Sequence, residues 1–292
     1  LIADEVGLGK TIEAGLIWTE LAARFQYNRL LVICPKVLCT KWKEELETKF
    51  GLSAQIMKAE ELRYSLENQT AQKKGFVAIC GMQGIRPKPK HKRENSQSDQ
   101  LANLIDEIDE FDQRIDLLII DEAHHLRNPG TQTNAIGPMF TKLAFNSVML
   151  SATPINLRSR DLHSLLNLLD KDTFSDEESL DRIITANAPL IEAKESIELN
   201  SDVETISECI ERAKSSPLLA KTAQLRRISE EISQFEGALD PKVRATLITR
   251  LEKVNLLANV INRTRRRDVD EFRVIRHVTP IKMEMNSLER DV

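Results

Sequence analysis

Between residues 1 and about 155, short aliphatic runs alternate with longer stretches in which apolar positions recur every three or four residues. Runs such as LLVIC, FVAIC and DLLII are apolar at successive positions, the signature of strands buried on both faces. They predict strands over Leu30–Cys34, Phe76–Cys80, Asp116–Ile120 and Ser147–Ser151. Helices are predicted near 10–25, 40–50 and 98–114, the last from the spacing of Leu101, Ile105, Ile108 and Phe111. Alternation of this kind implies an α/β lobe: a doubly wound, mostly parallel sheet between helices.

From about residue 158 the strand-like runs disappear. Three sets of apolar residues recur at helical spacing: Val203, Ile206, Ile210 and Ala213; Leu225, Ile228, Ile232 and Phe235; and Val243 through Leu247, Leu251, Val254 and Ala258 to Ile261. Asp240-Pro241 reads as an N-cap followed by a proline in the first turn. A helix of about 22 residues from there would be about 33 Å long, so a long hairpin standing off the α/β lobe is expected. The tail Arg273–Met285 returns to strand-like sequence, interrupted by Pro280. The expected division is 1–157 for the α/β lobe, 158–262 for an inserted helical protrusion, and 263–292 for a return to the lobe and the start of a linker.

Composition narrows the class without naming a chemistry. The 292 residues carry a net charge of −4, enough length for one large domain or two smaller ones, each with a core. No apolar run approaches the roughly 20 residues of a membrane span, so no membrane partner is expected. Position 1 is not Met and no signal-peptide pattern follows it. The chain is therefore expected to start inside a longer polypeptide; an intracellular location, cytoplasm or nucleoid if prokaryotic, is expected instead from its free thiols. None of Cys34, Cys39, Cys80 and Cys209 forms a C-x-x-C pair, and buried free thiols are the favoured reading. GIRPKPKHKRENSQSD, residues 84–99, is a basic, proline-containing stretch that reads either as a solvated loop or as a nucleic-acid contact.

Chemistry enters at three places. The first is LIADEVGLGKT, where Gly7, Gly9, Lys10 and Thr11 form G-x-G-K-T ahead of a helix. Glycines let backbone N–H groups converge on a phosphate, and the helix N-terminus adds its dipole. Lys10 would then lie on the β- and γ-phosphates of ATP, and the Thr11 hydroxyl on Mg2+. A strict phosphate loop has another glycine where this chain has Asp4. The second place is LLIIDEAHH, an aliphatic strand ending in two acids. Strand ends in such sheets face the ligand crevice, which suits Asp121 to hold Mg2+ and Glu122 to orient and deprotonate water. The third is VMLSATPIN, where Ser151 and Thr153 close another strand and could hydrogen-bond His124. The Asp could also simply cap a turn, and the Ser-Ala-Thr-Pro could simply end a strand.

In that order the three motifs resemble the first RecA-like lobe of superfamily 2 helicases. ADEVGLGKTIEAGLI, LLVICPKVLCTKWKEEL, IIDEAHHLRN and LSATPINLRSRDLHSLLNLL are similar to the SWI/SNF family of DNA-translocating ATPases, and to its prokaryotic members in particular. The likeness covers about residues 1–170 and resumes at NRTRRRDV, which resembles the arginine-rich stretch closing the first lobe in that family. In that family an acidic pair precedes the loop, so the resemblance places Asp4, Glu5, Val6 and Leu8 in the ATP-binding segment with Gly7, Gly9, Lys10 and Thr11. It implies an ATP hydrolase whose second lobe supplies arginine fingers, so the isolated piece is expected to be nearly inactive. Such fingers are worth roughly 10³–10⁵ in rate.

The same resemblance implies double-stranded DNA as partner, gripped through its phosphates, with RNA polymerase or another DNA-bound complex as a further candidate. Lys36, Thr40 and Lys41 fall where lobe 1 of the family meets the strand, although ordinary solvent-facing lysines beside a core Trp42 would look the same. Arg263, Arg265, Arg266 and Arg267 suit either a lobe-to-lobe salt bridge or DNA. With 4% aromatic residues, base stacking is a poor candidate for the grip. An RNA helicase, a restriction-type motor and a nucleotide-dependent scaffold that binds a partner remain as alternatives.

Overall fold

The computed structural model describes residues 1–5, 7–67, 75–109, 111–151, 159–235, 239–262 and 264, without the side chains of 159–161. Five strands form one sheet: β1 (Arg29–Cys34), β2 (Gln55–Ile56), β3 (Phe76–Gly81), β4 (Ile115–Ile120) and β5 (Ala144–Met149). Their order is β2-β3-β1-β4-β5 and every pair is parallel. Beyond β5 the chain at Ile2 bridges Leu150, and Asn262 bridges Ile2 from its other side.

Strand residues alternate between two cores, as the pleat requires. Leu31, Ile33, Leu118 and Ile120 face a cluster that includes residues of α3 (Ala59–Glu67), α4 (Gln97–Glu107) and α5 (Ile136–Thr141). Leu30, Val32, Cys34, Leu117 and Ile119 face the other side, with Ala14 and Trp18 of α1 (Lys10–Phe25) and Trp42 and Leu46 of α2 (Cys39–Phe50). The doubly wound α/β architecture expected from the alternation is present. All four cysteines are buried free thiols, and burial pushes Cys34 and Cys80 well above the usual thiol range.

The remaining described helices are α6 (Ser159–Leu169), α7 (Glu177–Glu198), α8 (Val203–Lys214), α9 (Ala223–Ile232) and α10 (Pro241–Val254). The second half of α7 packs with α8, α9 and α10 around an apolar cluster of its own, separate from those of the sheet. Two helices differ in length from the expectation. The helix after Asp240 has 14 residues, not about 22, because the Asn255 side chain accepts from the Leu257 N–H and draws the backbone out of the helix. The long helix of this region is instead the 22-residue α7. The helix expected to reach residue 114 ends at Glu107, where the Asp109 carboxylate accepts from the Phe111 N–H in a turn. Phe111, expected on its apolar face, is 83% exposed. The tail Arg273–Met285 and the run Arg265–Arg267, with Arg263, lie outside the described residues.

The basic stretch 84–99 is tied by ion pairs within itself and to α4. Lys88 pairs with Glu94, and Lys90 and Arg93 both reach Asp106. Buried Asp99 accepts from the backbone N–H groups of Lys88 and Glu94. Among the described residues no helix is long and apolar enough to cross a membrane.

Candidate nucleotide site

The carboxyl ends of β1 and β4 and the segment following β5 converge on the chain that enters α1. The Asp121 N–H donates to the Ile33 carbonyl and the Ala123 N–H to that of Leu150, both within 2.9 Å. The Ser151 N–H donates to the Ile2 carbonyl at 3.0 Å. Backbone bonds alone therefore bring the three sequence motifs to one end of the sheet, though they are up to 150 residues apart in the chain.

Gly7 and Gly9 both have left-handed backbone, at φ 88° and 86°, and Gly9 caps α1. A side chain there would carry the left-handed penalty, which is why glycine is needed at both. The Ile12 and Glu13 N–H groups both donate to the Gly9 carbonyl, at 2.8 and 3.0 Å, while those of Lys10 and Thr11 precede any carbonyl their own helix could offer. Lys10 Nζ folds over the loop, donating to the carbonyls of Asp4 at 2.9 Å and Glu5 at 3.3 Å. Thr11 is half-buried in the same turn. Val6 lies outside the described residues.

Asp4 does something the motif alone does not show. It is buried, and its Oδ1 accepts from the Thr264 N–H at 2.6 Å. Glu13 of α1 accepts from Asn262 Nδ2 at 2.8 Å, and burial raises its pKa above the ordinary carboxylate range. The acidic residue in place of the expected glycine thus ties the loop to residues 262–264.

Asp121 and Glu122 occupy the turn after β4. Asp121 is 8% exposed, and both its oxygens are engaged. Oδ1 accepts from the Glu122 N–H and Oδ2 from Trp42 Nε1, each at 2.8 Å. Glu122 has left-handed backbone, φ 50° and ψ 46°, a strained state for a residue with a side chain. Burial pushes its carboxyl above the usual range, the charge of Asp121 adds to that, and Lys10 and His125 oppose it.

His124 Nδ1 stands 3.1 Å from Glu122 Oε2 but outside hydrogen-bonding geometry, and it has no hydrogen-bond partner among the described residues. Burial and the neighbouring charges of His125 and Arg127 hold its pKa below that of an ordinary histidine. Ser151 Oγ is fully buried and likewise unpartnered. The His124–Ser151 hydrogen bond expected from sequence is not made, and Thr153 lies outside the described residues. Two orphaned buried polar atoms in adjoining turns are themselves a mark of a functional site.

Lys36, Thr40 and Lys41 are all exposed, on the turn Lys36–Leu38 and the first turn of α2. Gln83 fixes that turn by accepting from the Lys36 N–H at 3.0 Å. Trp42, three residues into α2, is the group that sequence reasoning left as mere core. The available signal was its N–H, since a buried indole needs an acceptor.

Among the described residues no three His, Cys, Asp or Glu side chains form a metal cage by themselves. A Mg2+ held through one carboxylate, one hydroxyl and phosphate oxygens would not need one. Asp121, Thr11 and the glycine turn fit that donor set.

A chain with this sheet and these motifs belongs to the SNF2-related domain family, whose model matches residues 1–279. The RNA polymerase-associated protein RapA of Yersinia enterocolitica is 32% identical over 185 residues, covering 61% of this chain and 17% of that protein. RapA of Photobacterium profundum is 31% identical over 202 residues, 66% of this chain and 19% of that protein. The chain thus spans less than a fifth of the relatives it matches. The Sulfolobus solfataricus SWI2/SNF2 ATPase core in complex with dsDNA superposes over 80% of this chain and 59% of its own, with TM-score 0.44 and 15% identity. That likeness is too loose to add to the sheet order.

Proposed function

We propose that the chain is the ATP-binding lobe of an ATP-dependent double-stranded DNA translocase, with hydrolysis completed by a second lobe. The observation that carries this is the set of backbone hydrogen bonds, Asp121 to Ile33, Ala123 to Leu150 and Ser151 to Ile2, that gathers the glycine loop's entrance, the acidic turn and Ser151 at one end of the sheet. The glycine turn and the N-terminus of α1 bind the phosphates, and Lys10 exchanges the Asp4 and Glu5 carbonyls for phosphate oxygens. Asp121 and Thr11 hold Mg2+, which supplies charge neutralisation at the phosphates. Glu122 orients water and takes its proton, its raised pKa suiting it to that role. His124, Ser151 and Thr153 report the state of the site to the neighbouring turns.

Lys36, Thr40 and Lys41 present two cations and a hydroxyl at one helix start, which suits a DNA phosphate and carries no base readout. Residues 1–157 form the nucleotide lobe, 158–262 the helical protrusion, and 263–292 the way back to the lobe. The RapA relatives make RNA polymerase the first protein partner to test.

The test is ATP hydrolysis by the full-length protein with duplex DNA, single-stranded DNA and RNA. Duplex DNA should stimulate most; stimulation by RNA alone would replace the translocase with an RNA helicase. Lys10→Ala should lose at least about tenfold in nucleotide affinity, about 1.4 kcal/mol. Unchanged affinity would remove the loop from the site.

A further inference from the structure

We propose that Trp42 is a positioning residue for the Asp121 carboxylate and couples it to the exposed first turn of α2. The inference rests on the nucleotide reading above and extends it to a residue outside the three motifs.

Trp42 is 1% exposed, and its Nε1 donates to Asp121 Oδ2 at 2.8 Å across 79 residues of sequence. The surrounding cluster is apolar or thiol, including Cys34, Cys39, Leu46 and Ile79. Those side chains offer the indole no comparable acceptor. Asp121 Oδ1 is taken by the Glu122 N–H, so the carboxylate is pinned at both oxygens and its plane is set by two fixed donors. One donor belongs to the acidic turn itself, whereas the other comes from a different helix.

That helix is what makes the bond informative. Trp42 sits in the first turn of α2, directly after Thr40 and Lys41, both exposed. Outward-facing polar groups and an inward-facing indole thus share one turn of backbone. An indole has only two side-chain torsions and is packed on its apolar faces, so it has little slack with which to absorb a shift of that turn. A displacement of the turn by a bound phosphate chain is delivered to Asp121 Oδ2. A tryptophan that merely fills the core would fix the helix and leave the metal-binding geometry of Asp121 indifferent to its N–H.

The experiment uses full-length protein carrying 5-fluorotryptophan, with the Trp42 signal identified by its loss in Trp42→Phe. Phenylalanine keeps most of the apolar fill and removes the donor. Mg2+·ADP should move the Trp42 fluorine signal, and a short DNA duplex should move it as well. In Trp42→Phe, the Mg2+ concentration for half-maximal ADP binding should rise roughly 10–100-fold, as for loss of a group that orients a metal ligand. Metal-free ADP should bind within about twofold of wild type, since phosphate contacts remain. A Trp42 signal that ignores Mg2+·ADP while calorimetry shows binding would overturn the inference and leave the nucleotide site standing. So would a Trp42→Phe protein with wild-type Mg2+ dependence. A signal that ignores bound duplex would overturn the coupling to α2. Wild-type protein that binds no Mg2+·ADP would overturn the nucleotide reading and this inference together. Should Trp42→Phe misfold, Trp42→Tyr, which also keeps an aromatic ring and lacks the indole N–H, assigns the signal instead, and the wild-type response still decides the matter.

Discussion

Glu122 combines left-handed backbone, partial burial and a like-charged neighbour, and each of these disfavours it in the folded chain. Its folded pKa is raised, so the folded state holds the Glu122 proton more tightly than the unfolded state does. Stability is then lost as pH rises through the folded pKa. Glu122→Gln removes that loss. It should melt higher than wild type at pH 8, with the gap closing as pH falls into the ordinary carboxylate range. A pH-independent gap in thermal scans would contradict the burial account. In full-length protein the same substitution should keep ATP binding while hydrolysis falls by about 10²–10⁴, the usual contribution of a general base. The acids, the lysine and the glycines were legible in sequence because their order along the chain is itself distinctive. The Trp42–Asp121 bond was not, since a period-based reading of α2 assigns an apolar-facing tryptophan to the core and cannot say what its N–H meets. The bond from Asp4 to Thr264 was hidden for the same reason: nothing local announces a partner 260 residues away.

Strands β1, β3 and β4 were readable because residues buried on both faces leave nearly unbroken aliphatic runs. The two-residue β2, exposed at both positions, leaves no such run. Helix ends were misjudged where polar side chains stop a helix whose apolar period continues, as Asp109 and Asn255 do. Helix α7 was missed for the opposite reason. Pro189 lies inside it, and a proline normally argues for a break, yet this one is buried against neighbouring helices and the helix runs through. Two glycines separate packing that can yield from packing that cannot. A Cβ at Gly15 of α1 would lie 2.3 Å from the tip of the Phe50 ring, a half-buried side chain able to swing. The helix-propensity gain of about 1 kcal/mol offsets that shift, so Gly15→Ala should be near neutral. A Cβ at Gly75 would lie 2.7 Å from the Asn28 carbonyl oxygen, which accepts from the Phe76 N–H, while Asp116 grips the Asn28 N–H. That backbone cannot move cheaply, and Gly75→Ala should cost about 1–3 kcal/mol. Denaturant midpoints would show the order; equal costs would mean the β1–β3 entrance is softer than its hydrogen bonds indicate.

Among the described residues, two large apolar clusters flank the sheet, a third is enclosed by α7–α10, and a small fourth joins Leu166, Phe174 and Leu180. Ile210 is fully buried in the third. Ile210→Ala should cost about 2–5 kcal/mol, lowering the melting of the helical region while nucleotide affinity stays within about twofold. A loss of nucleotide binding in step with unfolding would show one cooperative unit instead. A different consequence follows from how residues 1–5 are held. The Ala3 N–H donates to the Asn262 carbonyl and the Glu5 N–H to that of Thr264. These contacts span nearly the entire chain, and closing so long a loop is the most expensive entropic step available to it. The phosphate loop is therefore expected to acquire its final shape late in refolding, after the sheet that its neighbours build. Pulsed hydrogen exchange should find the Ala3 and Glu5 amides protected after those of β1 and β4, so that a nascent chain lacking residues 262–264 has its sheet before it has a place for a nucleotide.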